Sequence, residues 1–288
     1  ALSSAASDVY KRQTSAVVTN IGISHIEQLK TQENIRAEKL HIADTIGEQG
    51  ALYLNGDDPM LQQLRESYTG KIVWYGMESD CDYRAVNIDT VKDCTRFELH
   101  APFGAHKIMI PALGLHNVSN ALAAIAVAYD QGLTLDDIRC GLLTYEGLAM
   151  RQQIHELDKI TVIDDSYNAS PDSIKSGIGV LMAVKSTGKK IAVLADMLEL
   201  GERSAQAHLE LGAYAAASGV DAVLTVGREA EKIAEGAAEE SRKILVKACG
   251  TNDEAFAELE KILNDGDCVL VKGSRGCLLY TSDAADDK

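Results

Sequence analysis

Ile160-Thr161-Val162-Ile163-Asp164-Asp165-Ser166-Tyr167-Asn168-Ala169-Ser170-Pro171-Asp172-Ser173 decides the fold of the second half of this chain. Four β-branched residues open it and predict a short strand. Ser170 stands at an N-cap position and Pro171 at the first helical position, so a helix starts there. Two carboxylates, a phenol and an amide are concentrated where the strand hands over to the helix. In open α/β sheets, ligands bind at such places. Plain turn chemistry is the alternative: Asp and Asn are common in turns, and Ser-Pro-Asp is an ordinary helix start.

Outward from this run the pattern alternates strictly. Strands are expected at 160–164, 190–194, 221–226, 243–247 and 267–272, and helices at 171–185, 204–218, 228–239 and 252–263. That predicts a parallel sheet with covering helices, a Rossmann-like domain. Towards the N-terminus the character changes around Gly147 to Arg151. Ala16 to Ile21, Ala51 to Leu54 and Lys71 to Tyr75 read as strands. Glu33 to Ile46 and Met60 to Ser67 read as helices. From Tyr83 to Pro111 the alternation has period two, with turns at Lys92-Asp93 and Phe103-Gly104, which predicts antiparallel strands. Asn117 to Gln131 and Leu135 to Leu143 read as helices.

The two ends have a different origin. A DNA sequence encoding Ser3 to Gln13 (SSAASDVYKRQ), read as its reverse complement one nucleotide out of frame, encodes Cys277 to Asp287 (CLLYTSDAADD). Residues 1–13 and 277–288 are therefore expected to be adapter-derived scars, excluded from fold reasoning. The 263 residues from Thr14 to Gly276 are then expected to be a piece of a longer gene product.

Composition narrows the function. Apolar residues make up 46% of the chain, ample for a core, and a net charge of −15 argues against a nucleic-acid partner. The same charge requires that any polyphosphate be held by a local cluster of Lys, Arg, backbone N–H and metal. No apolar run approaches a membrane span, so no membrane insertion is expected. Cys81, Cys94, Cys140, Cys249 and Cys268 are scattered, without CxxC or zinc spacing. Free, mostly buried thiols in a reducing cytoplasm fit best.

Several residues carry possible chemistry. His25, just past a strand end, could bind a metal that also touches phosphate, or be merely structural. Lys39 could be a solvated lysine. With a lowered pKa it could instead capture carbon dioxide as a carbamate, turning a cation into a carboxylate-like metal ligand. Asn117 and Asn120 share a helix face and could read the edge of a base. Capping by Asn117 of an Ala-rich packing helix is the other reading. Arg151 could hold phosphate, and Asp164 or Asp165 could accept from ribose hydroxyls. Asp196 repeats the acid at a strand end, and Lys272, Ser274 and Arg275 follow the last strand. These could equally be polar loop residues.

In order along the chain, TNIGISHIE, ENIRAEKLHI, LNGDDP, GLHNVSNALAA, MRQ, IDDSYNASPDS, VLADMLELGERS and VLVKGSRG resemble the Mur ligases over essentially Thr14 to Gly276. The DDSYNASPDS and ADMLELGERS blocks are most like the branch that adds D-alanyl-D-alanine to UDP-N-acetylmuramoyl-tripeptide. The resemblance implies an α/β fold with a partial central ATP-binding domain over 14–148 and a C-terminal Rossmann-like ligase domain over 149–276. It implies a monomeric ATP- and Mg²⁺-dependent enzyme that forms an amide through an acyl phosphate in peptidoglycan synthesis. It also implies roles: His25 as a metal-binding and Lys39 as a carbamylated, metal-binding catalytic residue, Asn117 and Asn120 on adenine, Arg151 on the nucleotide, Asp165 on ribose. Asp196, Lys272 and Ser274 lie in segments that would face the incoming dipeptide. Ser170 departs from the family, which more often has Asn there. No GxxGK[ST] phosphate loop occurs in the chain, so it is expected to be inactive by itself. A D-glutamate-adding or folylpolyglutamate-type ligase, or a noncatalytic nucleotide-binding paralogue, are the alternatives.

Overall fold

The computed structural model describes residues 14–23, 26–46, 50–78, 80–241 and 243–277. The scars expected at 1–13 and 277–288 lie outside these residues, apart from Cys277. The chain divides into two compact units. The first is Leu29–Tyr145 with the chain before Ile23, and the second is Glu146 onward together with Ile23–Gln28.

The first unit carries one six-stranded sheet in chain order: β1 (Ser15–Val18), β2 (Ala51–Asn55), β3 (Lys71–Gly76), β4 (Tyr83–Val91), β5 (Cys94–Ala101) and β6 (Gly104–Ile110). β1 to β4 pair in parallel, and β4, β5 and β6 pair antiparallel. The period-two pattern explains the second half. In β5, Thr95, Phe97 and Leu99 alternate inward, and Phe97 and Leu99 pack with Tyr53, Tyr75, Leu122 and Ile125 in the core. Three longer helices cover the sheet, α1 (Gln32–Leu40), α2 (Leu115–Asp130) and α3 (Leu135–Leu143), and the helix expected from Met60 to Ser67 is a single turn, Pro59–Gln62, that tightens into a 3₁₀ turn, Gln63–Arg65. Thr31 caps α1, and a Thr134/Asp137 capping box starts α3. The helix expected to reach Ile46 tightens after Leu40 into a 3₁₀ turn, His41–Thr45.

The second unit follows the expected βα alternation: β8 (Thr161–Asp164), α4 (Pro171–Ala183), β9 (Lys190–Ala195), α5 (Ser204–Ala217), β10 (Ala222–Val226), α6 (Glu231–Glu240), β11 (Leu245–Cys249), α7 (Asn252–Ile262) and β12 (Cys268–Lys272). A further strand, β7 (Gln153–Glu156), pairs antiparallel with β8 at the sheet edge, so the sheet is not purely parallel. Gln153-Ile154-His155-Glu156 holds one apolar residue, which is why its sequence gave no strand signal. The order is β11-β10-β9-β12-β8-β7. The chain leaves β8, skips one place to β9, and only at the end inserts β12 into the gap. Ser170 caps α4 in a capping box with Ser173, and Pro171 sits in its first turn. Helices α5 and α6 cross where Gly212 and Gly236 let backbones touch. A Cβ on Gly212 would lie 1.9 Å from the Ile233 carbonyl oxygen.

The thiols are less buried than composition suggested: Cys249 and Cys268 are buried, Cys81 and Cys94 half-buried, and Cys140 exposed. No helix among the described residues is long and apolar enough to cross a membrane.

Candidate functional site

In the first unit, Gly114 opens α2 with φ of 93°, a conformation that favours glycine. Asn117 is therefore not the cap. Its side-chain amide donates to the Leu113 carbonyl at 2.8 Å. Asn117 and Asn120, one turn apart on α2, line a cavity of about 460 Å³. Its other walls are largely apolar, including Ile110, Ala124, Ile138 and Leu142, with Asp137 as the one carboxylate. A flat, largely apolar ligand with a few hydrogen-bonding edge atoms suits such a lining.

Lys39, near the end of α1, is exposed, and its Nζ donates to the Asn20 carbonyl at 2.9 Å. The fold thus carries Lys39 to Asn20, in the loop that follows β1. His25 itself is outside the described residues. Among these residues no three His, Cys, Asp or Glu side chains gather as a metal site.

In the second unit, a crevice of about 300 Å³ opens at the carboxyl ends of β8, β9 and β12, where β12 is inserted between its neighbours. Tyr167, Asn168, Ala169 and Ser170 form one wall, Leu198, Glu199 and Leu200 the second, and Ser274, Arg275 and Gly276 the third. Arg151 lies over the Tyr167 ring at 4.2 Å, and Arg275 approaches the same ring at 5.9 Å. Two guanidiniums on one phenol form a local cationic cluster in an acidic chain. Arg151 is held there by a strained turn. Met150 and Gln152 on either side have φ of 57° and 55°, and the Tyr167 N–H donates to the Met150 carbonyl at 3.1 Å.

The remaining expected residues are placed as ties between loops. Asp165 is 6% exposed and Lys272 2% exposed, and Lys272 Nζ lies 2.7 Å from Asp165 Oδ2. The same ammonium donates to the Asn168 carbonyl at 3.0 Å. Burial pulls the Lys272 pKa down, while the Asp165 charge opposes that shift. Ser274 is buried; its Oγ accepts from Leu198 N–H at 3.0 Å, and its own N–H donates to the Asp196 carbonyl at 3.1 Å. Asp196 Oδ1 accepts from Ala230 N–H at 2.7 Å, just before α6 begins. Asp164 accepts from the Ser166 hydroxyl at 2.6 Å. Asp165, Lys272, Ser274 and Asp196 therefore brace the crevice. Tyr167, Asn168, Leu198, Glu199 and Arg275 form its surface. The sequence reading gave no separate role to Tyr167, Asn168, Leu198 or Glu199. The φ of 64° at Glu199, which helps turn the middle wall, had no sequence signal.

The family model described as the Mur ligase middle domain matches residues 3–128, and that described as the Mur ligase, glutamate ligase domain, matches residues 150–275. A UDP-N-acetylmuramoyl-tripeptide--D-alanyl-D-alanine ligase of Bacillus subtilis is 35% identical over 265 residues, which is 92% of this chain and 57% of the relative. A crystal structure of MurF from Acinetobacter baumannii has a TM-score of 0.85 at 30% identity, over 94% of this chain and 59% of that one. MurF ligase from Thermotoga maritima, crystallised in complex with ADP, has a TM-score of 0.81 at 27% identity, over 93% of this chain and 60% of the other. The chain thus spans less than two thirds of the proteins it matches. With both domain models matched in order, and a fold shared with solved members, the chain belongs to the Mur ligase family.

Proposed function

We propose that this chain forms the nucleotide- and acceptor-binding part of an ATP-dependent amide ligase that joins D-alanyl-D-alanine to UDP-N-acetylmuramoyl-tripeptide in peptidoglycan precursor synthesis. The observation that carries the reading is the 35% identity to a relative of that name, sustained over 265 residues across both domains. The apolar cavity with Asn117 and Asn120 supports an adenine site, and the named ADP complex of a structural relative agrees with it. ATP would supply the phosphoryl group that converts an inert carboxylate into an acyl phosphate. The dipeptide amine then attacks its carbonyl carbon, and inorganic phosphate leaves.

The chain's own residues would bind and orient. Asn117 and Asn120 present amides to a base edge. Arg151 and Arg275, braced on Tyr167, offer positive charge to a phosphate or carboxylate. His25 and Lys39, the latter as a carbamate, are the residues proposed to hold Mg²⁺, which would screen the gathered phosphate charge. Asp165 is buried against Lys272, so we assign it to anchoring the crevice and not to ribose. Asp196 and Lys272 act on the dipeptide only through the loops they brace, while Ser274 both braces and lines the crevice.

The test is a chimera in which residues 14–276 replace the matched span of the Bacillus subtilis relative. The expected result is formation of the pentapeptide product from tripeptide nucleotide, D-alanyl-D-alanine, ATP and Mg²⁺. A folded chimera that hydrolyses no ATP would favour a noncatalytic paralogue. One that ligates glutamate instead would favour the D-glutamate-adding or folylpolyglutamate type. The chain alone, lacking a GxxGK[ST] run, should turn ATP over poorly.

A further inference from the structure

The middle wall of the crevice begins where β9 ends, at Ala195, and from there its main chain has no neighbouring strand to bond. Met197 is 1% exposed, so its N–H needs a protein acceptor or becomes a buried orphan. That acceptor is His208, on the second turn of α5, which is itself 0% exposed. Met197 N–H donates to His208 Nε2 at 3.0 Å. On the other side of the ring, Nδ1 lies 2.7 Å from the Ser204 carbonyl, which can only accept, so Nδ1 carries the proton. Ser204 Oγ, 3.3 Å from the same Nδ1, donates its own hydrogen to Glu229 Oε2 at 2.8 Å. Both ring nitrogens are thereby committed, and the tautomer is fixed from both sides. An imidazole buried on a helix is costly unless it is bonded in this way.

We propose that His208 is a positioning residue of this crevice: its Nδ1-protonated imidazole fastens the main chain at Met197 to α5 and so sets the wall formed by Leu198, Glu199 and Leu200. A second tie on this wall comes from Ser274, at the neighbouring residue, through Leu198 N–H. Two consecutive amides are thus held from opposite directions, by a helix and by the loop after β12. Further along, the Glu199 carbonyl accepts from Glu27 N–H and the Leu200 carbonyl from Arg203 N–H, each at 3.2 Å, so the two acceptors set the start of the wall, at Met197 and Leu198. The proposal rests on the reading of the crevice as the acceptor-substrate site for its consequence in catalysis, but not for its geometry.

Three replacements separate the latch from mere packing. The amide oxygen of His208→Gln can stand where Nε2 accepts. His208→Asn can mimic the Nδ1 donor but does not reach Met197. His208→Leu keeps bulk and loses both bonds. In amide hydrogen exchange on the full chain, Met197 is compared with Leu224 in the centre of β10. The Asn and Leu variants are expected to raise the Met197 rate about two- to tenfold relative to Leu224, with the Gln variant close to wild type. In ¹⁵N spectra, Nε2 should resonate as an unprotonated ring nitrogen. An Nε2 that carries the proton, or Gln and Leu variants that expose Met197 equally, overturns the proposal. D-Alanyl-D-alanine binding is measured in parallel. Weaker binding in the Asn and Leu variants with recovery in Gln ties the latch to the substrate. If the exchange pattern holds while the unmodified chain binds no dipeptide, the latch stands and the substrate reading fails.

Discussion

Replacing Lys272 by methionine removes the cation from a site that still holds the Asp165 carboxylate. The pair is 2.7 Å apart, and each residue is less than a tenth exposed. Methionine fills most of the lysine stem's volume, so the lost term is electrostatic. An unpaired buried carboxylate escapes by taking up a proton, which for a carboxyl of ordinary pKa costs about 4 kcal/mol at pH 7. That agrees with the roughly 3–5 kcal/mol seen when one partner of a buried ion pair is removed. The variant also loses the bond to the Asn168 carbonyl. For a unit of this size the melting temperature should fall by about 10–20 °C. Urea unfolding of Lys272→Met, Asp165→Asn and the double variant, followed by exchange at β8 and β12, measures the coupling. The double variant should lose clearly less than the sum of the singles. Acidification gives the sign. Below the ordinary carboxyl pKa, folded and unfolded states are both protonated, so the deficit of Lys272→Met should shrink as pH falls from 7 towards 4. A loss under about 1 kcal/mol for Lys272→Met, additivity with Asp165→Asn, or a deficit that does not vary with pH would refute the assignment of this pair as the anchor of the crevice.

Other expectations follow from single positions. Gly212→Ala puts a methyl group 1.9 Å from the Ile233 carbonyl oxygen, so α5 and α6 must separate; chemical denaturation should show a loss of about 1–3 kcal/mol or more. Thr225 is fully buried, and its hydroxyl has no hydrogen-bond partner among the described residues; Thr225→Val should leave the chain equally or more stable, by up to about 1–3 kcal/mol in the same titration. Ala124→Leu narrows the cavity beside Asn120 and should weaken ADP binding at least about tenfold by calorimetry, without changing the melting of the second unit. In the chimera, Lys39→Ala should lose most ligation and regain part of it with added short carboxylic acids; full activity without them would make Lys39 a surface lysine.

The sequence alone determined whatever is written in local spacing. The strand–helix alternation after Thr161, the start of α4 at Ser170 and Pro171, the capping box at Thr134, and the turn at Lys92-Asp93 between β4 and β5 all depend on residues within about four positions of one another. The motif order that marks the family is equally local. The tertiary structure decided what depends on distant partners. Whether β12 lies at an edge or between β9 and β8 is not encoded in its own apolar run. β7 is a strand because β8 offers it an edge, not because four mostly polar residues prefer to extend. Asp165 and Lys272 look like two exposed loop charges until a fold closes a separation of 107 residues and buries them together. By sequence Asp196 and Ser274 could be plain polar loop residues or lie in segments that face a substrate, and their hydrogen bonds go to the main chain at Ala230, just before α6, and at Leu198 in the opposing loop. A side chain's type says what it can bond. Only the packing of segments far apart in sequence determines whether a ligand or the protein's own backbone reaches it first.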